Sequence, residues 1–146
     1  MENNPIELRL ATFEDWPLLL EWRNDEETRK NSHTTEIVSK EAHTNWLKGI
    51  LANPERIIYI ATYDKKAIGT VRTDFNNETY TLSWTIAPEA RGKGLGKLMV
   101  KTLSDRLKAP IIAEVKKGNL SSAKIAEFAG LKLLREENGI QIYARN

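Results

Sequence analysis

The chain has 146 residues, 40% hydrophobic and 29% charged, which suits one soluble globular domain (residues 1–146) with a real core. It has no cysteine, which excludes a disulfide framework, a cysteine-based metal site and a thiol nucleophile, and a net charge of +2 is too small to argue for nucleic acid. No apolar run approaches the roughly 18 residues of a membrane span, and Met1-Glu2-Asn3-Asn4-Pro5 lacks the basic-then-apolar pattern of a signal peptide, so a cytoplasmic location without membrane contact is expected.

Ile6–Leu10 alternates and reads as an opening strand. Thr12 then caps a first helix, with Asp15 three residues on in a capping-box arrangement. Trp16, Leu19 and Leu20, extending to Trp22, form its apolar face. Residues 24–38 are polar, irregular and long for a connection, a length that favours a functional loop. Ser39 caps a second helix whose inner stripe reads Ala42, Trp46, Leu47 and Ile50. Strands follow over residues 56–63, 67–75 and 78–87, separated by the short turns Asp64-Lys65-Lys66 and Asn76-Asn77, so a three-strand antiparallel meander is expected.

The run Arg91-Gly92-Lys93-Gly94-Leu95-Gly96 comes next, between the strand closed by Pro88 and a helix over residues 95–108. A glycine-rich strand-to-helix turn can present several backbone N–H groups at the positive end of a helix dipole, which binds phosphate without needing a particular side chain. Arg91, Lys93 and Lys97 add mobile positive charge, so a diphosphate ligand is the first functional inference. A P-loop would need Lys-Ser/Thr after its last glycine, and Leu98 and Met99 occupy that region. A Rossmann fingerprint would need Gly-x-Gly-x-x-Gly, whereas Gly92, Gly94 and Gly96 are evenly spaced. The helix crosses to a strand over residues 111–115, which should run parallel to the one before it. A helix over residues 119–129 ends at Gly130, and residues 131–134 and 140–144 close the chain as a hairpin.

The glycine run resembles the acetyl-CoA-binding signature of the GCN5-related N-acetyltransferases (GNAT family), Gln/Arg-x-x-Gly-x-Gly/Ala, at Arg91, Gly94 and Gly96. Glu114-Val115-Lys116-Lys117-Gly118-Asn119, then Ser122 and Gly130-Leu131, resembles the family's second motif. The order and separation of the two motifs agree, and the resemblance covers essentially the whole chain. It implies a single-domain α/β fold with a mixed, mostly antiparallel sheet, about four helices and a splayed parallel strand pair. It also implies acetyl-CoA as co-substrate, no metal, and acetyl transfer to an amine.

On this resemblance the backbone of Trp84, Thr85 and Ile86 meets the pantetheine arm, and Gly92, Lys93, Gly94, Leu95, Gly96 and Lys97 hold the pyrophosphate beside Arg91. Glu114 is the candidate base: its strand is expected to be covered on both faces, so burial should raise its pKa towards a useful range, and a strand-end carboxylate that is solvated or paired with Lys116 is an equal reading. Asn119 is an ordinary N-cap residue that the family also uses to bond the pantetheine arm. Many members carry Tyr where this chain has Ala126, so protonation of the leaving thiolate falls to Ser122, a nearby Tyr or water. Trp22-Arg23-Asn24, with His43 and Trp46, resembles a subgroup acting on nucleotide-linked amino sugars, with relatives that modify protein N-termini. For His43 and Trp46 a plain core-facing helix stripe is an equal reading. The partners expected are therefore a small-molecule or peptide amine, with a homodimer left open. A non-catalytic acyl-CoA-binding module is the rival reading, and a nucleic-acid binder is disfavoured by the lack of a continuous basic stripe.

Overall fold

The computed structural model describes residues 5–146, and the Met1–Asn4 stretch weighed above as a leader lies outside them. In chain order the elements are β1 (Ile6–Leu10), α1 (Trp16–Asn24), α2 (Glu26–Lys30), α3 (Lys40–Leu51), β2 (Arg56–Tyr63), β3 (Lys66–Asn76), β4 (Thr79–Ile86), α4 (Leu95–Ser104), β5 (Ile111–Lys116), α5 (Leu120–Phe128), β6 (Lys132–Glu137) and β7 (Ile140–Arg145). Seven strands form one sheet in the order β1-β2-β3-β4-β5-β7-β6. Every pairing is antiparallel except β4 with β5, as expected from the crossover through α4. No helix among the described residues is long and apolar enough to cross a membrane.

Two tight turns set the registers of the meander. Asp64 and Lys65 have φ of 51° and 64°, and Asn77 and Glu78 have 51° and 61°, the paired left-handed conformation that matches strand twist. The second turn falls one residue later than expected because Asn76 stays in the ladder opposite Thr79.

The helices depart from expectation in four places. The α1 region opens with a short 3₁₀ turn at Phe13–Asp15, where the Thr12 N–H donates to Asp15 Oδ2 at 2.8 Å, and Trp22 is its most deeply buried residue. Residues 24–38, read as irregular throughout, contain α2, where the Asp25 carboxylate accepts from the Thr28 N–H at 3.1 Å. In α3 the buried stripe is His43, Leu47 and Ile50; Ala42 is exposed and Trp46 only half-buried. Helix α4 stops at Ser104, four residues early; the Arg106 and Leu107 N–H groups bond back only three residues, to the Leu103 and Ser104 carbonyls, and Arg145 caps this end. That guanidinium donates to the carbonyls of Ser104 at 2.9 Å, Leu107 at 3.0 Å and Ala109 at 3.3 Å.

Alternation along β3 assigns the two faces of the sheet. Gly69 and Val71 face α4, since a Cβ on Gly69 would stand 3.0 Å from Met99 Sδ. Thr70, Arg72 and Asp74 face the other way, towards Trp46 of α3. Register carries the second face across the sheet: Arg72 lies opposite Ser83, and Thr81 opposite Ile112, two residues before Glu114.

The sheet opens between β4 and β5. They pair only at Tyr80–Leu82 with Ile111–Ala113. Beyond that point β4 stays with β3 as far as Ile86, and β5 stays with β7 as far as Lys116. The two parallel strands therefore diverge as a V.

Candidate active site

A cavity of about 770 Å³ fills the mouth of the V. Its walls come from Ser83–Ile86 of β4, Glu114–Lys116 of β5, the start of α5, and the segment from α1 to α3. The β5-facing backbone edge of Ser83–Ile86, which includes Trp84, Thr85 and Ile86, has no strand partner there.

The glycine turn adjoins this cavity at Arg91 and lies past its margin. Gly92 and Gly94 have φ of 76° and 74°, so the loop needs a residue that tolerates the left-handed region. Gly94 is the N-cap of α4, whose first N–H groups have no intrahelical acceptor. Gly96 serves a different purpose. Its backbone is helical, but an added Cβ would stand 2.8 Å from Ile86 Cδ1 and 2.9 Å from Ile125 Cδ1. It lets α4 approach both β4 and α5. Gly92, Lys93 and Gly94 are exposed, Leu95 and Gly96 are buried, and Lys97 Nζ lies 5.9 Å from the Phe128 ring.

Arg91 is not the mobile cation expected. It donates to Asp25 Oδ2 at 2.6 Å and Thr28 Oγ1 at 3.0 Å, and stands 3.2 Å from Glu27 Oε2. Desolvation pushes the Asp25 carboxyl up, but hydrogen bonds from Arg91 and the Thr28 amide, with the Arg91 charge, outweigh it and hold the group below its ordinary range. The turn is thus tied to α2, whose acidic partners lie far upstream in sequence.

Asn119 caps α5, its Oδ1 accepting from the Ser122 N–H at 3.1 Å. Ser122 Oγ accepts from the Trp84 indole N–H at 3.2 Å, which ties β4 to α5. That bond occupies an acceptor lone pair and leaves the serine proton free to be donated. Ala126 is fully buried, and no tyrosine lines the cavity among the described residues.

Glu114 departs from its expected burial. Its side chain is 44% exposed, with Oε1 3.3 Å from His33 Nε2. Burial alternates along β5: Ala113 and Val115 are buried, whereas Glu114 points to the open side of the sheet.

The remaining wall is basic and aromatic. Arg23 Cζ lies 4.6 Å from the Trp46 ring centroid and Arg72 Cζ 5.9 Å from it. Arg23 Nη1 is 3.4 Å from His43 Nδ1. His43 is buried, and its pKa is lowered first by burial and then by the Arg23 charge, partly offset by the Trp16 backbone. Asn24 does not line the cavity: its side chain both donates to the Val38 carbonyl and accepts from the Val38 N–H, each at 2.8 Å, stapling the loop. Arg72 and His33 were not anticipated. Arg72 and Asp74 at alternate positions of a central strand carry a readable sign, since charges there need a polar cavity or partners. His33 sits in an irregular segment with no pattern to mark it. Among the described residues no group of three or more His, Asp or Glu could hold a metal.

The family model of the acetyltransferase (GNAT) domain matches residues 6–132. No curated protein matches the sequence. Among solved structures, the chain is similar to an acetyltransferase from Thermus thermophilus, with a TM-score of 0.81, 18% identity and 96% of each chain covered. It is similar to the spermidine N-acetyltransferase from Vibrio cholerae in complex with CoA and spermine, with a TM-score of 0.82, 16% identity, and 97% of this chain and 94% of that one covered. It is also similar to the aminoglycoside acetyltransferase AAC(6')-Ib in complex with coenzyme A, with a TM-score of 0.80, 20% identity, and 95% and 92% covered. At these identities the likeness is one of fold. With the family model matched from the first strand to the sixth, the chain belongs to the GNAT acetyltransferase family.

Proposed function

We propose that this chain is an acetyl-CoA-dependent N-acetyltransferase whose acceptor is a primary amine, specifically a nucleotide-linked amino sugar. The observation that carries the reading is the divergence of β4 from β5 beside the glycine-rich start of α4, where Gly96 packs against Ile86 at the end of β4. The loop suits a diphosphate: Gly92 and Gly94 have open space where a Cβ would stand, and Lys93 and Lys97 supply charge. The free edge of Ser83–Ile86 suits an amide-bearing pantetheine arm. When bound, acetyl-CoA supplies an activated thioester.

The chain's own groups then divide the work. A backbone N–H at the splay polarises the thioester carbonyl. Glu114 takes the ammonium proton, directly or through water, on the face that opens to the acceptor. The amine nitrogen bonds to the carbonyl carbon, the carbon–sulfur bond breaks, the Ser122 hydroxyl, held by Trp84, donates its proton to the departing sulfur, and the second proton lost from nitrogen passes through water to Ser122 Oγ. The amine acceptors of the aminoglycoside and spermidine acetyltransferases support the amine class. Arg23, His43 and Trp46 in one wall support the amino-sugar subgroup.

Release of free CoA, measured across UDP-linked amino sugars, peptides and polyamines, tests this. Turnover with an amino-sugar nucleotide is the expected result, and turnover with peptides alone would move the acceptor to protein N-termini. The buried Ala126 favours a second reading, a non-catalytic acyl-CoA-binding module. Binding without turnover across the panel would establish it. No rise in melting temperature at millimolar acetyl-CoA would overturn both.

A further inference from the structure

Around Trp46 the acceptor wall holds two guanidiniums, Arg23 and Arg72, and a single carboxylate, Asp74, which Arg56 from outside the cavity also uses. Arg56 and Arg72 share one carboxylate, Asp74, at 2.8 and 3.1 Å. Arg72 also reaches Ser83 Oγ at 3.4 Å. Arg23 has no carboxylate partner among the described residues; its neighbours are the His43 ring, the Trp46 face and a second guanidinium. The other acids of this wall are engaged or peripheral: Glu27 with Arg91, Glu114 with His33, and Glu36 exposed. Burial and then the charge of Arg72 lower the Arg23 pKa, which is the response of a cation lacking a counter-charge.

Such an arrangement costs stability unless something negative completes it. A guanidinium keeps its donors in a planar fork suited to phosphate or carboxylate, and stacking on Trp46 fixes the plane of that fork. Arg72 and Glu114 share one face of the sheet, with β4 between their strands, and because β4 and β5 have already parted at Glu114 the separation exceeds the roughly 10 Å of two strand spacings. We propose that Arg23 and Arg72, ordered on Trp46, form an anion subsite that holds a phosphate or carboxylate of the acceptor while its amine lies towards Glu114. The subsite selects anionic amines over polycations such as aminoglycosides and polyamines. This deepens the transferase reading above and rests on it.

The test compares kcat/KM for UDP-glucosamine and glucosamine 6-phosphate, for muramic acid as a carboxylate bearer, for neutral-ring glucosamine, and for spermidine and kanamycin. The wild type should favour an anionic acceptor, and by less as salt rises. Among the three anionic acceptors, the best substrate identifies the source of the anion. Arg23→Gln should collapse the anionic-to-glucosamine ratio by about 10–100-fold, as expected for losing hydrogen bonds to a charged group. Arg23→Lys should restore part of it. Separately, UDP titrated calorimetrically into CoA-saturated protein should bind, and bind at least about tenfold more weakly to Arg23→Gln. A preference for spermidine, or a ratio unchanged in Arg23→Gln, would overturn the subsite even if glucosamine is turned over. UDP binding that depends on Arg23, without turnover of any amine, would leave the subsite standing and remove the transferase reading. The wild-type preference and its salt dependence decide the matter even if the glutamine variant fails to fold.

Discussion

Replacing Gly96 by Ala separates the two uses of glycine in the turn. The new Cβ would stand 2.8 Å from Ile86 Cδ1 and 2.9 Å from Ile125 Cδ1, against about 3.5–4.0 Å for comfortable carbon contacts. Either both isoleucines leave their rotamers or the first turn of α4 moves out by nearly the difference. Overpacking of this size costs about 1–3 kcal/mol. Alanine in a helix returns about 1 kcal/mol relative to glycine. The net should be about 0–2 kcal/mol of destabilisation, a fall in Tm of up to about 8 °C for a chain this long. Cofactor affinity should suffer more, because the amides proposed to hold the diphosphate lie on the turn that moves. Gly94→Ala meets no atom within 4 Å and should lose stability only through its left-handed φ of 74°. Calorimetric titration of acetyl-CoA and thermal melts of both variants would measure this. A Gly96→Ala protein with wild-type Tm and undiminished acetyl-CoA affinity would refute the role assigned to close packing.

Glu114→Gln keeps shape and hydrogen bonding but removes the base, so kcat/KM should fall by at least about tenfold near neutral pH, with acetyl-CoA binding nearly unchanged. The deficit should shrink as pH approaches the amine's own pKa; a profile parallel to wild type would instead make Glu114 a positioning residue. Ser122→Ala should lower kcat more than it weakens acetyl-CoA binding, and equal effects would recast the serine as a cofactor contact. In acid, the depressed carboxyls of Asp25 and Asp15 contribute stability that is present above the ordinary Asp value and lost as pH falls through their lower folded values. Denaturant titrations below about pH 4 should therefore show falling stability, less steeply in Asp25→Asn, and an identical pH slope in that variant would discount the Arg91 pair.

Much of the architecture was legible because it rests on local rules. Period-two runs bounded by turn residues marked the strands, and Ser39 and Asn119 stand as the caps of α3 and α5. The glycine run pointed to its own chemistry because left-handed φ values at Gly92 and Gly94 leave little choice of residue. Helix α2 escaped notice among polar residues, although Glu26 and Glu27 at its start and Arg29 and Lys30 at its end follow the dipole pattern. The partner of Arg91 lies 66 residues away and no spacing rule reaches it. The burial of Glu114 was misjudged for a related reason: which face of β5 is covered depends on where α5 packs and where the segment from α1 to α3 stops. His43 lies deeper than Trp46 because the indole packs against the core on one side and also carries the Arg23 and Arg72 guanidiniums.

Arg91 begins the glycine turn yet directs its guanidinium to α2. On the proposed function, the loop that would hold one substrate and the wall that would shape the pocket for the other are thus a single mechanical piece. A change in α2 made to admit a different acceptor pulls on the turn, and a change in the turn shifts the wall by the same linkage, with the same free energy in each direction. In this chain, acceptor choice and cofactor grip are one adjustable property.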